Sequence, residues 1–333
     1  MPRHSYDEVQ GSPAGPAWGR CIRDRLLEVG PGGEGDTACR ALTLAGTQPS
    51  EIADSLTATL CGRVGYNGTV TLQILLTNDD GIHAPGLAVL RAAVDGLGDV
   101  TTIAPDHNAS AVARGITIDR PLLVEATTFG EAWPGLSCDG TPSDCVRVGL
   151  LGVRGLAPDL VVSGVNCGAN MGADITYSGT VGAALEAALR GRPAVAFSVE
   201  SSDPGWLAEA KPLLRAMVEH VITRGLPCHS ILNINLPDRP VAEFAGIHPA
   251  RLGGASCCDR VFLRGDGADP LAAGASEYFV PCDHPTAGEW ADTDFDVVGR
   301  GCVAVTPLRY DLLDPELLAE LDTWELDLEQ LRA

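Results

Sequence analysis

The sequence predicts an α/β fold, a Rossmann-like, doubly wound and mainly parallel sheet over residues 72–235, with a smaller extension after it. Short apolar runs alternate there with segments of helical periodicity, the order typical of strand–helix units. The runs are continuously apolar rather than alternating, as in parallel strands that helices cover on both faces. Several runs end in a turn rich in Asn, Asp, Gly or Pro, where a strand gives way to a helix.

The first elements follow this pattern directly. The apolar run 73–77 predicts a strand that ends in the turn Asn78-Asp-Asp-Gly81. A helix is predicted over 85–97, because four apolar residues recur there at helical spacing. Residues 100–104 then predict the second strand of the sheet.

A capping pattern predicts the next helix, after a looser region. Thr141 is placed as the N-cap, Pro142 as the first helical residue and Asp144 as the third, so that Thr141 and Asp144 satisfy each other's backbone N–H groups. The remaining elements alternate as before. They are predicted as a strand at 159–163, a helix at 179–190, a strand at 193–199, a helix at 206–224 and a strand at 230–235.

Two segments beside this domain carry weaker signals. Residues 1–71 contain no chemical motif beyond helical patterns at 22–29 and 52–60, so this extension has no assigned role, and disorder and a mispredicted start both stay open. Residues 236–310 are polar and Gly-rich, with a strand predicted at 301–307. We expect hairpins in this second segment that mediate oligomerisation.

The tail, residues 311–333, predicts an acidic amphipathic helix. It has eight acidic residues and one basic residue, and Asp314-Pro315 is a typical helix start. Its apolar positions recur at helical spacing, at Leu317, Leu321, Trp324, Leu328 and Leu331. We expect that face to dock on the protein's own core or on a partner subunit.

Composition and charge exclude several classes of protein. Among 333 residues, 44 acidic and 23 basic side chains give a net charge of −21, whereas a protein that binds a nucleic-acid polymer needs a basic surface. The sequence has no apolar run long enough to span a membrane, and no apolar stretch near its start typical of a signal peptide. The cysteines number eleven and include no Cys-x-x-Cys pair, so we expect reduced thiols in a cytoplasmic protein.

The turn after the first predicted strand is a candidate metal site. Ligands of open α/β sheets bind at the carboxyl ends of strands, where Asp79 and Asp80 lie. Two adjacent carboxylates repel each other, and a hard divalent cation such as Mg²⁺ or Mn²⁺ relieves that repulsion. The alternative is an Asx turn whose carboxylates are simply solvated.

A glycine-rich loop after a later strand is a candidate phosphate site. Glycines at 164, 168 and 172 allow the positive φ angles of an anion-binding loop. The small residues at 177–182 then open a helix, whose first N–H groups and hydroxyls suit a phosphate. The alternative is a tight loop whose glycines serve packing alone.

Absent motifs narrow the chemistry further. The sequence has no Walker A loop, no Gly-x-Gly-x-x-Gly fingerprint, no Gly-x-Ser-x-Gly elbow and no His-Glu-x-x-His motif. Lys211 is the only lysine, and it lies in a predicted helix rather than in a phosphate-binding loop. The remaining interpretation is metal-assisted hydrolysis of a phosphate ester.

Seven blocks, in order over residues 72–308, together resemble the SurE family of metal-dependent nucleoside monophosphate phosphatases, the 5'/3'-nucleotidases. The blocks are Ile74–Gly86, Ala104–Ser110, Asp139–Val146, Pro158–Asn170, Tyr177–Ala184, Asn233–Pro237, and Thr293-Asp294 followed by Val303–Leu308. At 107 and 109, where the family usually has basic residues, this chain has His and Ala, which leaves the substrate preference of that loop open.

The resemblance implies the roles of particular residues. The metal ligands for one divalent cation per subunit, Mg²⁺ or Mn²⁺, would be Asp79, Asp80, Ser110 and Asn166. Asp79 and Asp80 would also be the catalytic residues, with Asp79 orienting or deprotonating the attacking water. We favour direct attack by water over an aspartyl-phosphate intermediate. The groups expected to bind the substrate phosphate are Asn78, Asn166, Ser178, Gly179 and Thr180.

The resemblance also implies a substrate and an assembly. The leading hypothesis is a nucleotidase that removes phosphate from nucleoside 5'- or 3'-monophosphates, as a homodimer or homotetramer formed by exchange of the extension. One alternative is a broader phosphatase, an exopolyphosphatase or a phosphatase specific to one pathway. Another is a non-catalytic nucleotide-binding protein that uses the same pocket.

Overall fold

The computed structural model describes residues 71–202, 204–254, 262–264, 277–279 and 291–324. The predictions for the N-terminal extension and its two helical patterns, like those for the end of the tail, lie outside these residues. No helix in the described part of the chain is long and apolar enough to cross a membrane.

Within these residues, nine strands form one sheet. In chain order all the strands of the structure are β1 (Gln73–Thr77), β2 (Asp99–Pro105), β3 (Val124–Phe129), β4 (Trp133–Cys138), β5 (Leu160–Cys167), β6 (Ala194–Val199), β7 (Ser230–Leu236), β8 (Ile247–Pro249), β9 (Phe262–Arg264), β10 (Glu277–Phe279) and β11 (Val303–Arg309). The order in the large sheet is β3-β4-β2-β1-β5-β6-β7-β11-β8, and β9 and β10 form a separate antiparallel pair.

The large sheet is mainly parallel, as predicted. Strands β4, β2, β1, β5, β6 and β7 each run parallel to their neighbours in this series, while β3 is antiparallel to β4 and β11 is antiparallel to β7. Because β8 and β11 both come from residues 236–310, part of the predicted extension completes the main sheet.

Helices cover both faces of this sheet, which confirms the doubly wound α/β class. They are α1 (Pro85–Val94), α2 (Pro142–Leu150), α3 (Gly179–Leu189), α4 (Lys211–Arg224), α5 (Asp294–Gly299) and α6 (Pro315–Leu321). One buried cluster joins α1 and α4 to one face, with Phe197 of β6 among its large side chains. A second cluster joins α2 and α3 to the other face, through residues such as Leu75 and Val181.

The capping pattern predicted for α2 is confirmed. The Thr141 hydroxyl accepts a bond of 3.1 Å from the Asp144 N–H, and an Asp144 carboxylate oxygen accepts one of 3.1 Å from the Thr141 N–H. The predicted helix at 206–224 is divided instead: residues Leu207–Ala210 form a 3₁₀ turn, and the α-helix begins at Lys211, directly before Pro212.

Two expectations are corrected. The looser region before Thr141 contains the β3–β4 hairpin, which pairs with β2 and extends the sheet. Cys228 is disulfide-bonded, so the expectation of reduced thiols is wrong for that residue, while Cys138, Cys145, Cys167 and Cys302 are free thiols.

The predicted tail helix begins where expected and lies exposed. An Asp314 carboxylate oxygen accepts bonds of 3.0 and 2.9 Å from the N–H groups of Glu316 and Leu317. No residue of α6 is buried, and Leu317 and Leu318 are about half exposed. Within the described residues, this helix therefore does not dock on the protein's own core.

Candidate metal and phosphate site

The carboxyl ends of two central strands bring the predicted site residues together. Strands β1 and β5 are hydrogen-bonded neighbours, with Thr77 opposite Ser163. Asp79 follows β1 in the adjoining turn, and Asn166 lies in the last part of β5. Both side chains line one cavity of about 260 Å³. This arrangement follows from parallel pairing, because the carboxyl ends of parallel strands meet at one edge of a sheet.

The amino terminus of α3 holds the carboxylate of Asp79. The Thr180 hydroxyl donates to Asp79 Oδ1, and the Thr180 N–H donates to Oδ2 at 3.1 Å. Gly179 permits this contact, since a Cβ there would lie 2.8 Å from Asp79 Cβ and 3.0 Å from Oδ2. A helix that begins with any larger residue could not approach the turn so closely.

The charge of Asp79 is poorly compensated by the protein. Burial raises its pKa from 3.8 to about 6, the Thr180 hydroxyl opposes that shift, and the neighbouring Asp80 adds to it. None of the ion pairs among the described residues involves either carboxylate. A buried carboxylate beside a second one is stabilised in its charged form by a bound cation.

Asp80 lies on the other side of the turn, against the end of β5. Its Oδ2 accepts a bond of 3.3 Å from the Cys167 N–H. The residue is half-buried, and that burial raises its pKa above the ordinary value. Asp80 does not itself line the cavity, but Cys167 and the preceding Asn166 do.

Ser110 and Asn166 add two neutral oxygens. The Ser110 hydroxyl donates its proton to Asn108 Oδ1 at 2.6 Å, which leaves the oxygen's lone pairs for another partner. The Asn166 side-chain nitrogen donates to the Gly168 carbonyl at 2.7 Å, which leaves Oδ1 as the atom suited to a cation. The donor set is therefore two carboxylates, a hydroxyl and an amide.

This all-oxygen set fits a hard divalent cation. Mg²⁺ and Mn²⁺ take carboxylate, carbonyl and hydroxyl oxygens, whereas thiolate and imidazole ligands suit softer metals. The described residues contain no cluster of three or more His, Cys, Asp or Glu side chains placed to hold a metal. The chemistry of these four side chains agrees with the predicted site.

The predicted phosphate-binding residues divide into two groups. Ser178 lines the cavity as the N-cap of α3, where its oxygen accepts from the Val181 N–H at 3.0 Å and its proton is available to donate. Thr180 is directed to Asp79 instead. Asn78 is fully buried away from the cavity, and its side-chain nitrogen donates to the Gly81 carbonyl at 2.9 Å, which closes the turn.

The loop that departs from the family pattern contacts the site through its backbone. The Ala109 N–H donates to the Asp79 carbonyl at 2.7 Å, a bond that any residue other than proline could make. The His107 side chain is exposed and does not line the cavity. Ala109 is itself buried and carries no charge, so this residue fixes the turn through its backbone N–H alone.

Sequence reasoning missed the apolar wall of the cavity. Met171 and Phe295 belong to one apolar cluster, and both line the cavity, as does the exposed ring of Tyr177. Asp174 lines it as well. The only sequence signal for Phe295 was the preceding Thr293-Asp294 block, to which no role was assigned.

Three comparisons identify what the chain is similar to. The family model described as "Survival protein SurE" matches residues 74–258. A protein named 5'-nucleotidase SurE from Desulfatibacillum aliphaticivorans is 40% identical over 256 residues, covering 77% of this chain and 99% of the relative. Its counterpart in Geobacter sulfurreducens is 41% identical, over 77% of this chain and 94% of the relative.

A solved structure gives the same result for the fold. The SurE protein from Aquifex aeolicus superposes with a TM-score of 0.65 at 35% sequence identity. The match covers 76% of this chain and 100% of the Aquifex chain. The residues that line the cavity all lie in the region from 72 to 308 over which the seven sequence blocks were found.

Proposed function

The chain belongs to the SurE family, and from that premise we propose that it is a metal-dependent phosphatase of nucleoside 5'-monophosphates. Its relatives are named 5'-nucleotidases. The observation that carries the proposal is a buried aspartate, Asp79, held against the amino terminus of α3 beside the second carboxylate of Asp80. The proposal places a cation site and a phosphate site next to each other at this strand edge.

Four side chains would hold the cation, namely Asp79, Asp80, Ser110 and Asn166. When bound, a divalent cation in such a site polarises a phosphate oxygen and lowers the pKa of a water. The protein's own contribution would be to orient these oxygens. The bonds of Thr180 to Asp79 and of Cys167 to Asp80 do that for the two carboxylates.

Asp79 is the residue best placed to act on the attacking water. Both of its oxygens accept bonds from Thr180, which orients the carboxylate and makes it a weaker nucleophile toward phosphorus. We therefore propose that water attacks directly and that Asp79 orients it and accepts its proton.

The amino terminus of α3 would bind the phosphate. The Ser178 hydroxyl would donate its proton to a phosphate oxygen, and the N–H of Gly179 has no partner among the described residues. The helix dipole adds positive potential at the same point. Asn166, Thr180 and Asn78 would support this site, the first as a ligand and the others by fixing Asp79 and its turn.

The apolar wall favours a nucleoside over a simpler leaving group. Met171, Phe295 and Tyr177 offer a thioether and two rings to a planar, partly apolar group such as a base. A sugar phosphate or a polyphosphate gains nothing from such contacts. This observation places nucleoside monophosphates ahead of the broader phosphatase and of the exopolyphosphatase.

The resemblance extends the proposal in three directions. They are activity on 3'-monophosphates, Mn²⁺ or Mg²⁺ as the cation, and a homodimer or homotetramer in the cytoplasm. The site geometry described above does not address any of the three.

Phosphate release from a substrate panel tests the proposal. The panel contains nucleoside 5'- and 3'-monophosphates, ribose 5-phosphate and short polyphosphate, each with Mn²⁺, Mg²⁺ or EDTA. We expect nucleoside monophosphates to have the highest kcat/KM, and EDTA to abolish activity. Activity that survives EDTA would overturn the metal mechanism, and equal kcat/KM values for ribose 5-phosphate would overturn the role of the apolar wall.

The variant Asp80→Asn tests the carboxylate pair. It keeps the shape of the side chain and removes one of the two charges, so we expect kcat/KM to fall by about 100-fold or more. The matched control is Asp95→Asn, because Asp95 is an exposed residue whose carboxylate pairs with Arg91 at the surface, away from the cavity lining. Loss of activity in both variants to the same extent would contradict the proposal.

A further inference from the structure

Two sequence blocks have no role in the site as described so far. One contains Asn233 and Asn235 in β7, and the other contains Asp294 at the start of α5. The structure brings all three residues to the loop 166–172, which begins with the proposed ligand Asn166. This common target suggests that the two blocks support the cation site from outside.

Asn170, in the middle of that loop, is held by side chains from two strands. Its N–H donates to Asn235 Oδ1 at 2.8 Å, and its carbonyl accepts from Asn235 Nδ2 at 2.9 Å and from Asn233 Nδ2 at 2.8 Å. Its own side-chain nitrogen donates to the Ser198 hydroxyl at 2.7 Å. The Asn235 side chain thus bonds to both backbone polar groups of Asn170, its N–H and its carbonyl, as a neighbouring strand would.

The sheet register explains why Asn235 reaches this loop. In the parallel strands β5, β6 and β7, Asn166 lies opposite Ser198 and Ser198 lies opposite Asn235. The three side chains therefore occupy one row across the sheet, at its carboxyl edge. Asn170 folds back over this row, so that the ligand and its supports belong to one connected group.

A second support holds the end of the loop. Asp294 is fully buried, and its two carboxylate oxygens accept bonds of 2.8 Å from the Gly172 N–H and the Gly253 N–H. The loop 166–172 is therefore fixed at its start by β5, at its middle by β7 and at its end by α5. The next residue, Phe295, lines the cavity.

Burying polar amide groups in the core costs free energy, so their presence there needs a reason. Asn233 and Asn235 are fully buried, where apolar side chains would fill a central strand at lower cost. An unsatisfied buried amide costs about 1–3 kcal/mol, so each of these bonds strongly favours one loop geometry. Residues bonded directly to a metal ligand typically change metal affinity by about 10- to 100-fold when replaced. Asn235 acts one step further out, through Asn170.

We propose that Asn235 is a positioning residue for the cation site: it holds Asn170, and through the loop it holds Asn166 Oδ1, at the place that a divalent cation needs. This inference rests on the proposed function, because it takes Asn166 to be a ligand. It assigns the Asn233-Ile-Asn235 block a task that folding alone does not require.

Mn²⁺ binding to the full chain, followed by electron paramagnetic resonance without substrate, tests the inference. In Asn235→Ala, the Asn170 N–H loses its partner while the Asn170 carbonyl keeps Asn233. We expect the Kd for Mn²⁺ to rise by about tenfold or more. The Mn²⁺ concentration that gives half-maximal phosphatase activity should rise by the same factor.

The matched control is Thr306→Val. Thr306 of β11 lies opposite Asn233, is equally buried, and has a hydroxyl without a partner among the described residues. Its replacement changes the same layer of the core without touching the loop. We expect wild-type Mn²⁺ affinity in this variant, whatever its effect on the thermal unfolding temperature.

Three outcomes contradict or separate the claims. If wild-type protein binds no Mn²⁺, the proposed function fails. If wild type binds Mn²⁺ and Asn235→Ala binds it equally well, the positioning role alone is overturned. Should Asn235→Ala not fold, the milder Ser198→Ala decides, since it removes only the bond from the Asn170 side chain: we expect weaker Mn²⁺ binding, and unchanged binding would overturn the inference.

Discussion

The helices α3 and α6 are both capped by a side-chain oxygen, but α3 is buried and α6 is exposed. Ser178 caps α3 by accepting from the Val181 N–H, and Asp314 caps α6 by accepting from the N–H groups of Glu316 and Leu317. In α3, nine of the eleven residues are buried, whereas none of the seven residues of α6 is. The cap determines where each helix starts, but it has no influence on whether the helix packs.

The residues after the cap account for the difference. Gly179, Ala183 and Ala187 make α3 narrow, so that it lies close to the sheet and its first turn touches Asp79. Helix α6 carries Leu317 and Leu318, which need a partner surface that the described residues do not provide. The comparison shows that small residues, more than apolar ones, allow a helix terminus to become part of a site.

Of the changes at these two helices, the largest effect is expected from widening the first turn of α3. In Gly179→Ala the added Cβ would lie 2.8 Å from Asp79 Cβ, so either the helix or the carboxylate must move. We expect a loss of about 1–3 kcal/mol in the free energy of unfolding and of about 100-fold in kcat/KM. Urea unfolding and steady-state kinetics measure the two effects.

The matched control is Gly299→Ala in α5. A Cβ at Gly299 meets no atom within 4 Å, so the substitution adds a methyl group to a helix in open space. We expect unchanged kinetics and a free energy of unfolding at or slightly above that of the wild type. If Gly179→Ala behaves in the same way, the close approach of α3 to Asp79 is irrelevant to function.

A smaller effect is expected when one of the two hydrogen bonds between α3 and Asp79 is removed. In Thr180→Val the hydroxyl bond to Asp79 is lost, while the backbone N–H bond of 3.1 Å remains. We expect Mn²⁺ affinity to fall by about tenfold, because one carboxylate oxygen is no longer oriented. Calorimetric titration with Mn²⁺ measures this change directly.

Thr223→Val controls for the chemistry of that substitution. The Thr223 hydroxyl donates to the Glu219 carbonyl in the last turn of α4, where Thr223 is exposed and does not line the cavity. Wild-type Mn²⁺ affinity is the expected result for this variant. An equal loss of affinity in both variants would show that the Thr180 bond has no special role.

The smallest effect is expected at α6. Asp314→Ala removes the cap, so the amides of Glu316 and Leu317 should exchange hydrogen faster while the thermal unfolding temperature and kcat/KM stay unchanged. A helix without buried residues can fray without opening the core. A clear fall in the unfolding temperature would instead show that α6 packs against a second subunit in solution.

Local signals predicted the first strand, the capped helix α2 and the turn Asn78–Gly81 that contains two of the proposed cation ligands. The strand 73–77 and the capping box of Thr141 and Asp144 depend on neighbouring residues, and the structure confirms both. The β3–β4 hairpin gave no such signal. On β3 only the last residue, Phe129, is buried. Strand β4 contains Pro134 and Gly135, which strands usually avoid.

The sequence by itself determined most strands and helices of residues 72–235, the family blocks and the set of proposed oxygen ligands, because each depends on residue type and short spacing. The tertiary structure alone decided which of these residues work together. It directed the Thr180 hydroxyl to Asp79 and the Asn78 side chain to the Gly81 carbonyl, and it placed Phe295 in the cavity wall. The physical reason is separation: the bonds that fix the site join residues such as Asn170 and Asn235, 65 positions apart, and only the packing of the sheet brings them together.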